Sequence, residues 1–150
     1  MDEARIEAFL HRHLPLARAM EVRVVRVDED GARLTAPLAH NHNHHGTAFG
    51  GSLSALAMLA GWAFVHAALE RAGIEGAEVV IHEVRFAFTK PARGDLEAWV
   101  AAPEDAAWDV FARALARRGR ARLDLGCELR SEDAQVARAE GRYVAVRGGS

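Results

Sequence analysis

The chain has 150 residues, half of them hydrophobic and 27% charged, with a formal net charge of −2 and one cysteine. This is the make-up of a globular chain long enough for a proper core, without the excess positive charge that draws a protein to nucleic acid or an anionic membrane. Cys127 has no partner for an internal disulfide, and the acidic, amphipathic start MDEARIEAFLHRHL is unlike a secretory signal. A single domain over 1–150 in a reducing, cytoplasmic setting is therefore expected.

Residues 2–14 read as a short helix: Ile6, Phe9, Leu10 and Leu14 share a face, Asp2 stands where a cap belongs, and Pro15 discourages continuation. A valine-rich strand follows over 20–28. Its apolar phase slips by one between Val24 and Val25, as a bulge would cause. Asp30-Gly31 is a hairpin turn signal, and 32–37 is the returning strand, with Leu34 and Ala36 inward.

The stretch 41–72 is the centre of the sequence. A histidine-rich loop tightens into Gly-Thr-Ala-Phe-Gly-Gly and runs into an apolar helix with no Asp, Glu, Lys or Arg between Leu53 and Leu69. Leu53, Leu56, Ala60, Phe64 and Ala67 mark one face, while Met58, Trp62, Val65 and Leu69 cover others. A helix apolar all round is buried, in lipid or in protein. A spanning helix needs about 20 apolar residues; this run is shorter and broken by Ser54, Gly61 and His66, so a central helix of roughly 30 Å enclosed by a sheet is expected. Ser52 is the expected N-cap, and Gly73 the stop. Gly50 and Gly51 let the backbone approach a ligand. Free N–H groups and the positive end of the helix dipole lie there too, which suits an oxygen that turns negative during acyl transfer. A tight turn into a crowded helix explains the same glycines.

Residues 77–89 form the clearest strand, with His82, Val84, Phe86 and Phe88 on one face and Ile81, Glu83, Arg85 and Ala87 on the other. The apolar face turns toward the helix, and the long edge invites a second copy to pair there. Residues 90–95 turn the chain, and Leu96, Ala98 and Val100 alternate in the next strand. A second amphipathic helix covers 103–118, with Trp108, Phe111 and Leu115 inward and Gly119 as its stop. Ala121, Leu123, Leu125, Cys127 and Leu129 alternate with polar residues in a long strand. After a turn at 131–133, residues 134–146 return with Ala137, Ala139, Tyr143 and Ala145 on one face, and 147–150 read as a loose tail.

The histidines 40, 42 and 44 would point one way in an extended segment. Without a helix-spaced histidine pair, a thiolate or an acidic cluster, three near neighbours rarely close a tetrahedral site. No metal or cofactor is expected, and the run reads as a polar lid. The basic stretch Arg117-Arg118-Gly119-Arg120-Ala121-Arg122 lacks the interleaved aromatics of a nucleic-acid patch. It suits either the phosphates of a ligand or a solvated helix end.

The order helix, two strands, buried helix, two strands, helix, two strands resembles the α+β hotdog fold, a curved antiparallel sheet of about six strands around a long central helix. Asn43-His44-His45-Gly46-Thr47-Ala48-Phe49-Gly50-Gly51 resembles the Asn-x-x-Gly-Thr-x-x-Gly-Gly signature of hotdog acyl-CoA thioesterases. Gly-Thr-Ala-Phe-Gly-Gly-Ser-Leu running into Leu59-Ala60-Gly61-Trp62 is similar to the thioesterase domains typified by the C-terminal half of bacterial YiiD.

The resemblance implies hydrolysis of an acyl-CoA or acyl-carrier-protein thioester by a homodimer or dimer of dimers. The Gly51 N–H would polarise the carbonyl, Gly50 would position it, and Asn43 would hold water or the carbonyl. Thr47, Phe49, Ser52 and Met58 would line the substrate, and Arg117, Arg118 and Arg120 would meet coenzyme A. One departure matters: many relatives carry a carboxylate seven residues after the second glycine, where this chain has Met58. The histidine that often stands at the Phe49 position is missing as well. The base must come from elsewhere, with His82 ahead of His44 and Glu83 the carboxylate alternative. A non-catalytic thioester-binding domain and a hotdog enoyl-CoA hydratase or dehydratase are the rival readings.

Overall fold

The computed structural model of the chain describes residues 2–148. Helix α1 (Glu3–His13) starts at Asp2, whose carboxylate accepts from the Arg5 N–H at 2.8 Å. Pro15 ends that helix and opens another, α2 (Pro15–Ala19), because a first-turn residue has no use for its N–H. Strands β1 (Arg23–Asp28) and β2 (Gly31–Ala36) form a hairpin whose register slips between Val24 and Arg26, so Val25 is the bulge implied by the valine phase. Asp28 pairs with Gly31, which makes the turn Glu29-Asp30, one residue earlier than the expected Asp30-Gly31.

A 3₁₀ turn at Leu38–His40 leads to the loop before α3 (Gly50–Arg71), a helix of 22 residues. Ser52 does not cap it. Phe49 holds the cap position in an extended conformation, and Ser52 is the third helical residue, with its side chain buried. Gly73 adopts φ 71° beyond the other end. There the Ile74 N–H returns to the Leu69 carbonyl at 2.9 Å. The remaining elements are β3 (Ala77–Phe88), β4 (Leu96–Ala101), α4 (Asp105–Arg118), β5 (Arg120–Ser131) and β6 (Ala134–Arg147).

The six strands form one antiparallel sheet in the order β1-β2-β4-β5-β6-β3, and α3 touches every strand of it. This is the hotdog fold. By length and composition α3 could cross a membrane, yet most of it is buried inside the sheet. The inward residues of β5 and β6 follow the alternation expected from sequence, and all are buried. Arg147 and Gly148, expected in a loose tail, are tied down: their N–H groups bond to the Gly119 and Gly76 carbonyls at 2.8 and 3.2 Å. Residues 149–150 of that tail lie outside the described residues.

Burial around α3 is uneven. Leu53, Leu56, Ala60, Phe64 and Ala67 are enclosed, whereas Ser54, Ala55, Met58, Leu59, Trp62 and His66 form a half-buried stripe. Phe9 of α1 covers the lower end of that stripe, stacking on Trp62 at 5.4 Å and His66 at 6.1 Å between ring centroids. The upper end, toward Gly50, has no such cover.

The two sheet edges also differ. On β1, the N–H groups of Val24 and Val27 are taken by the carboxylates of Glu7 and Glu3, at 2.9 and 3.1 Å. Helix α1 thus blocks that edge. Among the described residues edge β3 has no such cover, and Val80, Ile81, Val84 and Phe88 remain exposed along it.

Strand β3 departs from the simple alternation. Ile81 pairs with Tyr143 and Glu83 with Arg142, so His82 is an extra residue in a bulge. Val79 and Ile81 face α3 before it, and Val84, Phe86 and Phe88 face α3 after it, as shown by their partners Ala145, Tyr143, Gly141, Ala139 and Ala137. His82 therefore does not lie on the helix-facing side. It joins Arg122, Arg142 and Val144 on the outer face of the sheet. An unbroken period of two along 77–89 misses this extra residue.

The motif residue Gly61 has a packing cause. The hydroxyl end of the Tyr143 ring packs against it, and the Tyr143 hydroxyl donates to the Met58 carbonyl at 3.1 Å. A methyl at Gly61 would overlap that ring and hydroxyl. Elsewhere in a helix, Gly→Ala stabilises by about 1 kcal/mol. Here overpacking, about 1–3 kcal/mol, exceeds that gain. Gly61→Ala should therefore lower the urea midpoint; a rise would show that the contact is not tight.

Candidate functional site

The loop from Asn41 to Phe49 is built on two asparagines. Asn41, only 2% exposed, donates from Nδ2 to the Met20 and Pro37 carbonyls at 2.9 and 2.8 Å, and its own carbonyl receives the Phe49 N–H at 2.8 Å. It anchors both ends of the loop. Nothing in the run His40-Asn41-His42-Asn43 sets it apart from a solvated loop residue, so sequence reasoning missed it.

Asn43 closes the inner turn. Its Oδ1 accepts from the N–H groups of His45 and Thr47 at 2.8 and 3.2 Å, and its Nδ2 donates to Thr47 Oγ1 at 3.0 Å. The amide expected to hold water or a carbonyl is committed to the loop itself. Thr47 serves the same turn and is not a free contact for substrate. A bridge between His42 and Ala48 and a bond from the Ala48 N–H to the Ala92 carbonyl, 2.8 Å, dock the loop onto the segment before β4.

The histidines of this loop diverge because the segment is not extended. His40 turns to Glu21 at 3.4 Å, His42 bonds to the Asn43 carbonyl at 2.9 Å, and His44 packs on His45 with ring centroids 3.8 Å apart. His42, His44 and His45 remain exposed on the loop that feeds Gly50.

At the head of α3, Gly50 and Gly51 are the first two helical residues, so their N–H groups have no intrahelical acceptor. Two aromatic rings frame them. Phe49 folds over the Cα of Gly51, where any side chain would collide with it, and the ring of Phe88 stands 3.4 Å from where a Cβ on Gly50 would be. Phe49 is 56% and Phe88 55% exposed, and Phe88 stacks on Phe86 at 5.5 Å. The result is a glycine-floored mouth with apolar walls, facing the uncovered edge of β3. Met58 and Leu59, two turns along α3, are half-buried on the stripe that runs down from the glycines.

Other titratable groups are remote or inert. No Asp or Glu occurs on α3 before Glu70. His66 lies about 24 Å along the helix from Gly50. Burial, with help from Arg5, holds its pKa below the usual histidine range, while Glu70 opposes the shift. Cys127 is buried and its thiol is pushed up to about 12, so it supplies no thiolate at neutral pH.

His82 and Glu83 stand on the outer face, with the sheet between them and α3, and Glu83 lies beside Arg85 and Arg142. Arg118 and Arg120 also line an outer groove, and Arg117 an adjoining hollow with Val110 and Arg113. The structure groups these arginines with each other and not with Gly51.

An antiparallel sheet around one apolar helix, with a glycine-headed mouth, defines a hotdog protein of the thioesterase type. The sequence profile of the family described as "Putative thioesterase (yiiD_Cterm)" matches residues 3–147, and the chain belongs to that family. Among solved structures, a protein of unknown function from Chlorobaculum tepidum superposes with a TM-score of 0.91 at 27% identity, covering 97% of this chain and 94% of that one. A "putative thioesterase" from Shewanella oneidensis gives 0.85 at 24% identity, with 96% of each chain covered. A "probable thioesterase" from Pseudomonas aeruginosa gives 0.84 at 21%, covering 99% of this chain and 97% of its own. At those last two identities the likeness shows the fold alone.

Replacing Asn43 tests its place in the loop. Asn43→Ala removes at least three hydrogen bonds and should cost about 1–3 kcal/mol in denaturant unfolding, together with any loss of activity. A variant of unchanged stability would mean that the loop does not depend on the amide.

Proposed function

We propose that the protein hydrolyses acyl thioesters, carried by coenzyme A or an acyl carrier protein, by a water-based route. The observation behind this reading is the pair of Gly50 and Gly51 N–H groups at the positive end of a 22-residue helix, flanked by the rings of Phe49 and Phe88. In such a place the thioester oxygen gains charge as water adds to the carbonyl carbon, and two fixed donors stabilise that charge without reorganising. The C–S bond then breaks, leaving a carboxylic acid and a thiol.

With Met58 at the position of the helix carboxylate, no acyl anhydride can form on α3. Proton removal from water falls to an imidazole of the loop before Gly50, from His42, His44 or His45. Within one chain Glu83 and His82 are unsuited, because the sheet separates them from that chain's own mouth. That placement also weakens a hydratase reading built on Glu83. The absence of a carboxylate along α3 before Glu70 favours one rival, a domain that binds thioesters without cleaving them.

Assembly belongs to the same reading. One sheet edge is blocked by Glu3 and Glu7 while β3 lies open beside the mouth. Two copies joined at β3 would cover Phe49, Phe88 and the upper stripe of α3. Sedimentation at micromolar concentration should give a dimer or a dimer of dimers. Ile81→Lys with Val84→Lys should shift it to monomer; a wild-type monomer removes the proposal.

Free-thiol release from a panel of acyl-CoAs should favour apolar, unbranched acyl groups over dicarboxylic ones. Replacing His42, His44 and His45 together with Ala should lower kcat roughly 10²-fold or more and abolish the acidic limb of the pH profile, because a base must be unprotonated to act. Glu83→Gln should stay within about twofold of wild type on the same reasoning. Loss of activity in Glu83→Gln with a fully active triple variant would reverse the assignment, and no turnover on any thioester would leave the binding-only reading.

A further inference from the structure

A sizeable hollow lies away from the mouth. It is a groove of about 420 Å³ on the outer face, between α4 and the strands β5, β6 and β3. One wall is cationic: Arg118 from the last turn of α4, Arg120 and Arg122 from β5, and Arg142 from β6, with His82 delivered by the bulge. The other wall is apolar, made of Val110, Phe111, Ala114 and Val144, and Val110 is 62% exposed.

Of the four arginines there, Arg142 is tied to Asp124 and the other three are not. Arg5, Arg23, Arg26, Arg33, Arg130 and Arg142 each have a carboxylate partner. Among the described residues Arg118, Arg120 and Arg122 form no ion pair and donate no side-chain hydrogen bond. The nearest acids are otherwise engaged. Asp124 takes Arg142 through two bonds, 2.9 and 3.3 Å, and Glu83 acts on the same guanidinium. Three exposed guanidinium groups line one groove, and a phosphate there would take paired N–H···O bonds from them. Arg120 and Arg122 are two apart on one strand, so both project to the same side about 7 Å from each other.

We propose that this groove binds an organic phosphate of mononucleotide size, its anionic head on Arg118, Arg120 and Arg122 and its apolar part against Val110 and Ala114. The volume falls within the range of small-ligand sites. The site is separate from the mouth of the same chain. It lies behind the sheet, and His82 and Phe88 are about 20 Å apart along β3. Two sources can supply such a group: a free nucleotide, or the phosphorylated adenosine end of coenzyme A. The second rests on the thioesterase reading, with one copy's groove serving its partner's mouth across paired β3 edges.

Calorimetric titration of the full chain with ADP, free coenzyme A, adenosine and inorganic phosphate tests the binding without any need for turnover. ADP and coenzyme A should bind one per chain. Adenosine should bind at least tenfold more weakly, and Arg120→Gln with Arg122→Gln should raise both Kd values at least tenfold. The remote control Arg12→Gln should change neither. If the double variant also raises KM for acyl-CoA with kcat unchanged, the ligand is the substrate's carrier end; an unaltered KM identifies a free nucleotide. Both outcomes support the site. No binding of ADP or coenzyme A at millimolar concentration, or affinities untouched by the double variant, would overturn it, and neither result would bear on hydrolysis at Gly51.

Discussion

The apolar surface of α3 on every side is the constraint from which the rest of the architecture follows. Such a helix has no face to give to water, and a flat sheet would cover only part of it. A curved sheet of six strands reaches round it, so that α3 touches all of them. Because the enclosure is a single sheet with two ends, it leaves a stripe of the helix half-buried and two edges to manage. Helix α1 deals with one edge and the lower stripe, through Glu3, Glu7 and Phe9. The other edge and the upper stripe remain apolar and open, and the mouth at Gly50 and Gly51 lies between them.

The mouth itself depends on contacts that carry no chemistry. Asn41 and Asn43 spend their amides on backbone and loop partners, which sets where Phe49 turns and where the helix begins. Tyr143 presses on Gly61 and donates to the Met58 carbonyl, tying the inner face of β6 to α3 two turns below the mouth. Residues of a recognisable motif thus divide into glycines that present N–H groups and neighbours that hold those glycines in place. The outer face works on different physics. Cross-strand charge pairs such as Arg142 with Asp124 lie on it, beside the groove lined by Arg118, Arg120 and Arg122.

Much of this was legible in the residues. The all-round apolar run required a buried helix, the valine slip required a bulge at Val25, and strict alternation set the inner faces of β5 and β6. Each of these is a local pattern with one packing solution. The signature from Asn43 to Gly51, continued by Gly61-Trp62, carried the family. Where reading failed, the deciding partner was distant in sequence. His82 was placed facing α3 because nothing local marks the bulge that turns it outward beside Arg142. Ser52 has the chemistry of a cap, but the backbone bonds of Phe49 to Asn41 and of Ala48 to Ala92 start the helix three residues sooner.

By itself, then, the sequence determined the element order, the central helix and the glycine pair at its head, since these rest on periodicity and backbone freedom within a few residues. Only the tertiary structure decided which side of the sheet each ionisable group occupies. A strand shows two faces, and a single extra residue exchanges them. That is why His82, Glu83 and the arginines after α4 stand behind the sheet, while the loop histidines lead into the mouth.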